Sequence, residues 1–200
     1  MSKSGSTLSY SPWVKQLPNT ISVFRLLAAL VLLAMAYLQM HTAFAWLLVP
    51  ALFSDFLDGW LARKLRIESD LGTLLDSVAD ILLMLVIIVS IWFLHPMVYQ
   101  EHWQIFALVV GFWSFAHAAA LFRYHRPASF HTRLLQVGIL LFGLFALVLF
   151  TYGFIPWMLY LAGTVSLLGG LEHLTLLVLL PEWTPNIRGG LLEVLRKRRD

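Results

Sequence analysis

Residues 71–94 read LGTLLDSVADILLMLVIIVSIWFL. A run this apolar is long enough to cross a hydrocarbon core of about 30 Å as one helix. Yet it carries two carboxylates, Asp76 and Asp80, one helical turn apart. An acid at the centre of a span costs about 2.5–3.5 kcal/mol even on the lenient insertion scale, so each one marks a functional candidate. Fold and chemistry are therefore read from the same segment.

Five further runs match it in length, at roughly 17–39, 43–63, 103–122, 134–152 and 155–180. The 200 residues are 60% apolar and 12% charged, with a mean hydropathy of +0.79, against about 45–50% and 25% in ordinary globular chains. A soluble domain, a disordered chain, collagen and a coiled coil are all excluded. With no cysteine, disulfide frameworks, thiolate metal sites and cysteine nucleophiles are excluded as well. The expected fold is an all-α integral membrane protein of one domain over residues 1–200. It comprises a leader with a short interfacial helix in 1–16, a six-helix bundle over 17–180 and a basic tail over 181–200. Tyr10, Trp13, Val14 and Leu17 alternate with Ser11, Lys15 and Gln16, which suggests the interfacial helix. A cleaved signal peptide fits less well, because the apolar run continues past Ala34-Met35-Ala36 to a full span. Most prolines fall at or near the joints, whereas Pro50 lies inside the second run and is expected to kink it.

The cations set the topology. With both termini cytoplasmic, Lys3 and Lys15, then Arg63, Lys64 and Arg66, then Arg123, Arg126 and Arg133, and finally Arg188 and Arg196–Arg199 all fall on inner segments. Arg25 alone sits on a span, near its inner end, and the outer loops near 40–43, 95–102 and 152–155 hold no Lys or Arg. This is the positive-inside pattern. It accounts for the pI of 9.4 without a nucleic-acid partner, the tail meeting anionic headgroups instead. Small size and a single domain suggest a bacterial inner membrane.

Asp55, Asp58, Gly59, Ala62 and Arg63 form one stripe on the second helix, and Gly72, Asp76 and Asp80 one stripe on the third. Folding the chain back at Arg66–Ile67 brings Asp55 level with Asp80, Asp58 with Asp76 and Arg63 with Gly72. Four carboxylates so close require neutralising cations. Hard divalent ions with oxygen ligands supply them, and two ions about 3.5–4 Å apart clamp the attacking and leaving oxygens of a phosphoryl displacement. Gly59, Ala62 and Gly72 leave an opening for a planar or ribosyl group, beside which Arg63 offers a fork for phosphate oxygens. Close helix packing by small residues explains each position singly, but not the whole register.

The series Asp55-x2-Asp58-Gly59-x2-Ala62-Arg63-x8-Gly72-x3-Asp76-x3-Asp80 resembles the complete signature of the CDP-alcohol phosphotransferases, class I. Pro18-Asn19-Thr20-Ile21-Ser22-x2-Arg25 is similar to that family's Pro-Asn-x-x-Thr-x-x-Arg opening, with Ser in place of Thr. The resemblance implies a six-helix, homodimeric enzyme of phospholipid synthesis with its site facing the cytoplasm. It transfers a phosphatidyl (phosphoalcohol) group from a CDP-linked lipid such as CDP-diacylglycerol to a hydroxyl acceptor and releases CMP. It also implies that Asp55, Asp58, Asp76 and Asp80 hold two Mg²⁺ or Mn²⁺ and that Asp80 is the general base. Asn19, Ser22, Gly59, Ala62, Arg63, Ser69 and Gly72 would then contact the CDP donor.

Glycerol 3-phosphate is the favoured acceptor, with inositol phosphate or another alcohol as the alternative. Ser77 and Ile81 stand where glycerol 3-phosphate enzymes usually carry Pro and Lys. Arg126 and Arg133 are candidates for an acceptor phosphate, although a positive-inside loop accounts for them equally well. Glu172 and His173 in the sixth run either line the cavity or make buried polar contacts, with His117 as a candidate partner. Two rivals compete with this reading. An intramembrane prenyltransferase needs a second Asp-rich motif, which is absent, and a non-enzymatic divalent-cation transporter needs acids in the outer halves of the spans, where none lies.

Overall fold

The computed structural model describes residues 12–65, 70–124, 132–180 and 190–197. Among these it is all-helical, with α1 (Pro12–Tyr37), α2 (His41–Leu65), α3 (Asp70–Leu94), α4 (Pro96–Tyr124), α5 (Arg133–Thr151), α6 (Pro156–Leu179) and α7 (Gly190–Lys197). Four helices are long and apolar enough to cross a membrane, over Asn19–Tyr37, Pro96–Arg123, Arg133–Thr151 and Pro156–Leu179. Among the described side chains, α2 and α3 contribute the shorter apolar stretches His41–Ser54 and Val78–Leu94, the second of which carries Asp80. The chain is an integral membrane protein made of two compact units, Met1–Leu94 and His95–Asp200.

In the first unit α1 is the shared element, packing along both α3 and α2. Its buried stripe is Ser22, Arg25, Ala28, Ala29, Leu32 and Ala36, a 3- and 4-residue spacing that keeps one face inward. The alanines on that stripe let neighbouring backbones approach, which is how helices associate when lipid is as apolar as their side chains. Facing residues are Phe44, Leu48, Ala51 and Ser54 on α2, and Ala79, Leu83, Val86, Ile87 and Ile91 on α3. At the turn after α1, Met40 N–H donates to Met35 C=O at 2.9 Å and Gln39 N–H to Ala36 C=O at 3.1 Å. This is a Schellman closure. Gln39 holds the left-handed position (φ 59°) where glycine is usual, and its Nε2 donates to Phe93 C=O at 2.9 Å.

In the second unit the shared element is α6, against which α5, α4 and α7 pack. A Cβ added at Gly169 would stand 3.0 Å from the Leu135 Cα, and one at Gly138 would stand 2.9 Å from the Ser166 Oγ. The α5–α6 contact is thus made backbone to backbone. Thr132 caps α5 by accepting the Leu135 N–H at 3.3 Å, and Pro156 occupies the first turn of α6.

The structure refines three expectations. Residues 12–16 form no separate interfacial helix: α1 runs on from Pro12 through Pro18 to Tyr37. α2 continues as helix on both sides of Pro50, and α4 holds a residue with non-helical backbone at His102 (φ −125°, ψ 19°). There the imidazole lies against Phe154 and within 3.3 Å of the Tyr160 hydroxyl. The basic tail includes α7, which buries Val194 with Ala116, Ala120, Leu176 and Leu177.

Candidate functional site

The site grows from the buried stripe of α1. Arg25 is wholly buried, a costly place for a charge unless it is paired and hydrogen-bonded. Three contacts from two other helices meet that need. Its Nη1 donates to Asp76 Oδ1 at 3.1 Å and also pairs with Asp80 Oδ1. Its Nε lies 3.4 Å from the Ser54 Oγ, and that hydroxyl in turn donates to the Ala51 C=O at 2.7 Å. Arg25 on α1 thus ties α2 to α3 at the level of the acids.

Asp76 and Asp80 stand one turn apart on α3, beside its buried stripe, with 41% and 44% of their side-chain surfaces exposed. One nitrogen serves an oxygen of each, so the two carboxylates converge. Of the other site candidates, Ser22 is buried on the same face of α1 as Arg25, and Asn19 and Gly72 are part-buried on α1 and α3. Asp55, Asp58, Gly59, Ala62 and Arg63 belong to the helical backbone of α2, and their side chains lie outside the described residues. Ser69 and Arg126 lie outside them entirely. Arg133 opens α5 and is exposed.

The donor chemistry fits a hard divalent cation. Two carboxylates already share a single cationic group, and both keep accessible surface. Among the described residues no three His, Asp or Glu side chains gather, since two of the four expected ligands fall outside the described side chains. The sequence reading assigned Arg25 no site role. Its signals were its place inside a span, away from the inner segments that hold the other cations, and its place as the last residue of the Pro18–Arg25 motif. Ser54 gave no signal beyond adjacency to Asp55.

Elsewhere polar groups complete helix ends. Glu172 Oε1 accepts the Leu191 N–H at 3.0 Å, capping α7 from α6, and Gly190 (φ 59°) gives the carboxylate room. Arg123 Nη2 donates to the Leu180 C=O at 3.3 Å beyond the end of α6, which leaves it an ordinary capping cation. His173 is buried on α6, and the His117 side chain lies outside the described residues.

Apolar helices enclosing an arginine that bridges two acids define a membrane protein with a charged centre among its helices. The sequence model of the family described as CDP-alcohol phosphatidyltransferase matches residues 15–169, a stretch that crosses both units. The chain belongs to this family. It is 36% identical over 78 residues to CDP-diacylglycerol–glycerol-3-phosphate 3-phosphatidyltransferase 2 of Arabidopsis thaliana, covering 38% of this chain and 34% of that protein. Identity to the CDP-diacylglycerol–glycerol-3-phosphate 3-phosphatidyltransferase of Cereibacter sphaeroides is 39% over 80 residues, covering 38% and 36%. A cardiolipin synthase (CMP-forming) of Oryza sativa subsp. japonica is 30% identical over 83 residues, covering 40% and 25%. The matched part is thus about a quarter to a third of these relatives' own length. No solved structure matches the chain.

Proposed function

We propose that the protein transfers a phosphatidyl group from a CDP-linked lipid such as CDP-diacylglycerol to the hydroxyl of glycerol 3-phosphate, releasing CMP. The observation that carries this reading is the pairing of Asp76 and Asp80 on one face of α3, inside the motif that marks the family. The names of the relatives from Arabidopsis and Cereibacter support the donor and the acceptor. The CMP-forming cardiolipin synthase favours a lipid hydroxyl as the second acceptor to examine.

Asp80 serves as base for the acceptor hydroxyl, whose oxygen attacks the phosphorus bearing the lipid while the bond to CMP breaks. A carboxylate of modest basicity suffices if that hydroxyl is held within hydrogen-bond reach. Asp55, Asp58, Asp76 and Asp80 would hold two Mg²⁺ or Mn²⁺, which supply charge neutralisation for the attacking and leaving oxygens. Asn19 and Ser22 from α1, with Gly59, Ala62, Arg63, Ser69 and Gly72, would cradle the donor, and Arg126 and Arg133 are candidates for the acceptor phosphate. Positioning supplies much of the acceleration.

The apolar runs support six spans and the cation distribution supports both termini and the site on the cytoplasmic side; the small single domain suits a bacterial inner membrane. A homodimer is part of this proposal, as the resemblance of the Asp55–Asp80 motif to the family implies.

The test is CMP release from CDP-diacylglycerol and Mg²⁺ in liposomes, with glycerol 3-phosphate, inositol phosphate and phosphatidylglycerol as separate acceptors. Release with the first and its loss in Asp80→Asn are expected. Full turnover in Asp80→Asn removes the base assignment. Silence with every donor and acceptor, alongside cation flux into the liposomes, identifies a transporter instead.

A further inference from the structure

Arg25 does more than neutralise a buried pair. A buried arginine introduced only to join helices would be met by carboxylates that are themselves buried, because exposed ones leave the guanidinium attraction diluted by solvent. Here the guanidinium is fully buried while Asp76 and Asp80 keep about two fifths of their surfaces open. The arrangement is fixed from behind, through Ser54 and the Ala51 carbonyl, so Arg25 is anchored on the packed side and presents Nη1 to the open one. Both acids turn an oxygen to that single nitrogen.

We propose that Arg25 is the positioning residue of this centre: a resident cation that holds Asp76 and Asp80 side by side when no divalent ion is bound, and that sets the affinity with which they take one. The inference rests on the reading of these acids as metal ligands.

Two consequences follow from charge alone. With Arg25 present, the two acids neither repel each other apart nor need a bound ion to stay together. With Arg25 present, an incoming dication also approaches a fixed positive charge a few ångströms away, which weakens its binding. Removing the charge therefore tightens ion binding even as it loosens the ion-free fold. A residue that merely braces three helices would weaken both.

The experiment measures free Mn²⁺ by electron paramagnetic resonance during titration of the full-length protein in detergent micelles. Melting is followed with and without Mn²⁺. Arg25→Gln is expected to bind Mn²⁺ about tenfold more tightly than the wild type, or about 1.4 kcal/mol. It should melt lower than the wild type in chelator and recover most of that loss when Mn²⁺ is added. Arg25→Lys keeps the charge and should stay within about twofold of wild-type affinity. Unchanged or weaker binding in Arg25→Gln overturns the proposal. Recovery of Arg25→Gln only when Mn²⁺ is present throughout purification supports it. If that variant is recovered under neither condition, Arg25→Lys decides, and a change above about fivefold overturns the proposal. Asp80→Asn separates the two readings. If the wild type binds no Mn²⁺, or Asp80→Asn binds it as well as the wild type, the metal-centre reading fails rather than the role of Arg25.

Discussion

The two units bury polar groups in opposite ways. In Met1–Leu94 a charged side chain is sealed inside three helices and aimed at carboxylates that stay open. In His95–Asp200 Glu172, Arg123 and Thr132 instead satisfy backbone groups at helix ends: Glu172 takes the Leu191 N–H, Arg123 serves the Leu180 C=O, and Thr132 takes the Leu135 N–H. Such end-capping is the ordinary use of polar side chains in helical proteins. A guanidinium held against open acids is not required by any helix end. The difference separates polarity that completes the fold from polarity kept available for a ligand.

The largest expected effect falls on the first unit. Asp76→Asn should lower CMP release by at least about 10²-fold, the scale for removing one preorganised electrostatic group, while Glu172→Gln should leave it within about twofold. Steady-state turnover in liposomes checks both. An equal loss in the two variants would erase the distinction between the units.

The next effect falls on the second unit's packing. Gly169→Ala puts a methyl 3.0–3.1 Å from backbone atoms of Leu135, which cannot rotate away. A cost of about 1–3 kcal/mol is expected from such overpacking, read as a lower melting temperature with turnover per folded molecule retained. No change in melting would mean that α5 and α6 adjust freely.

Much of this was legible before any coordinates. The long helices follow from apolar runs that have no other stable form in lipid, and among the described residues α1 to α6 each overlap one of those runs. The acid motif was legible because carboxylates within spans are rare enough to stand out. Partner choice was not. Hydropathy cannot say which face of an apolar helix meets protein and which meets lipid, so α1 as the shared element of the first unit is seen only in the burial of Ala28, Ala29 and Ala36. Arg25 stood out as a cation on a span, but its partners lie 51 and 55 residues away, and nothing local specifies them. The helix α7 was hidden by length: eight residues do not hold a helix alone, and it exists by virtue of docking on α6.

That docking gives the third prediction. Glu172→Ala removes the acceptor for Leu191 N–H, a loss of about 0.5–2 kcal/mol by comparison with other helix caps. It should free α7, seen as faster amide exchange over Gly190–Lys197. Gly190→Ala should free it too, because a Cβ there overlaps the Glu172 carboxylate and the backbone is left-handed. In the double variant the overlap is relieved and only the backbone penalty of Gly190→Ala persists, so the two effects should sum to less than their separate costs. Strict additivity would show that Glu172 and Gly190 act independently.

The smallest effect is expected at Gly111, which lines a shallow apolar groove with Ala107, Leu108, Phe112, Phe115 and Leu174. A Cβ there meets nothing within 4 Å, in contrast to Gly169. Gly111→Ala therefore removes only the conformational freedom of a glycine within a helix, for which alanine is better by up to about 1 kcal/mol. Melting should stay level or rise slightly. The pair tests whether the small residues of this unit all serve close packing: Gly169 does and Gly111 does not, so a loss of stability in Gly111→Ala as large as that in Gly169→Ala would mean that α4 packs against a surface absent from the isolated chain.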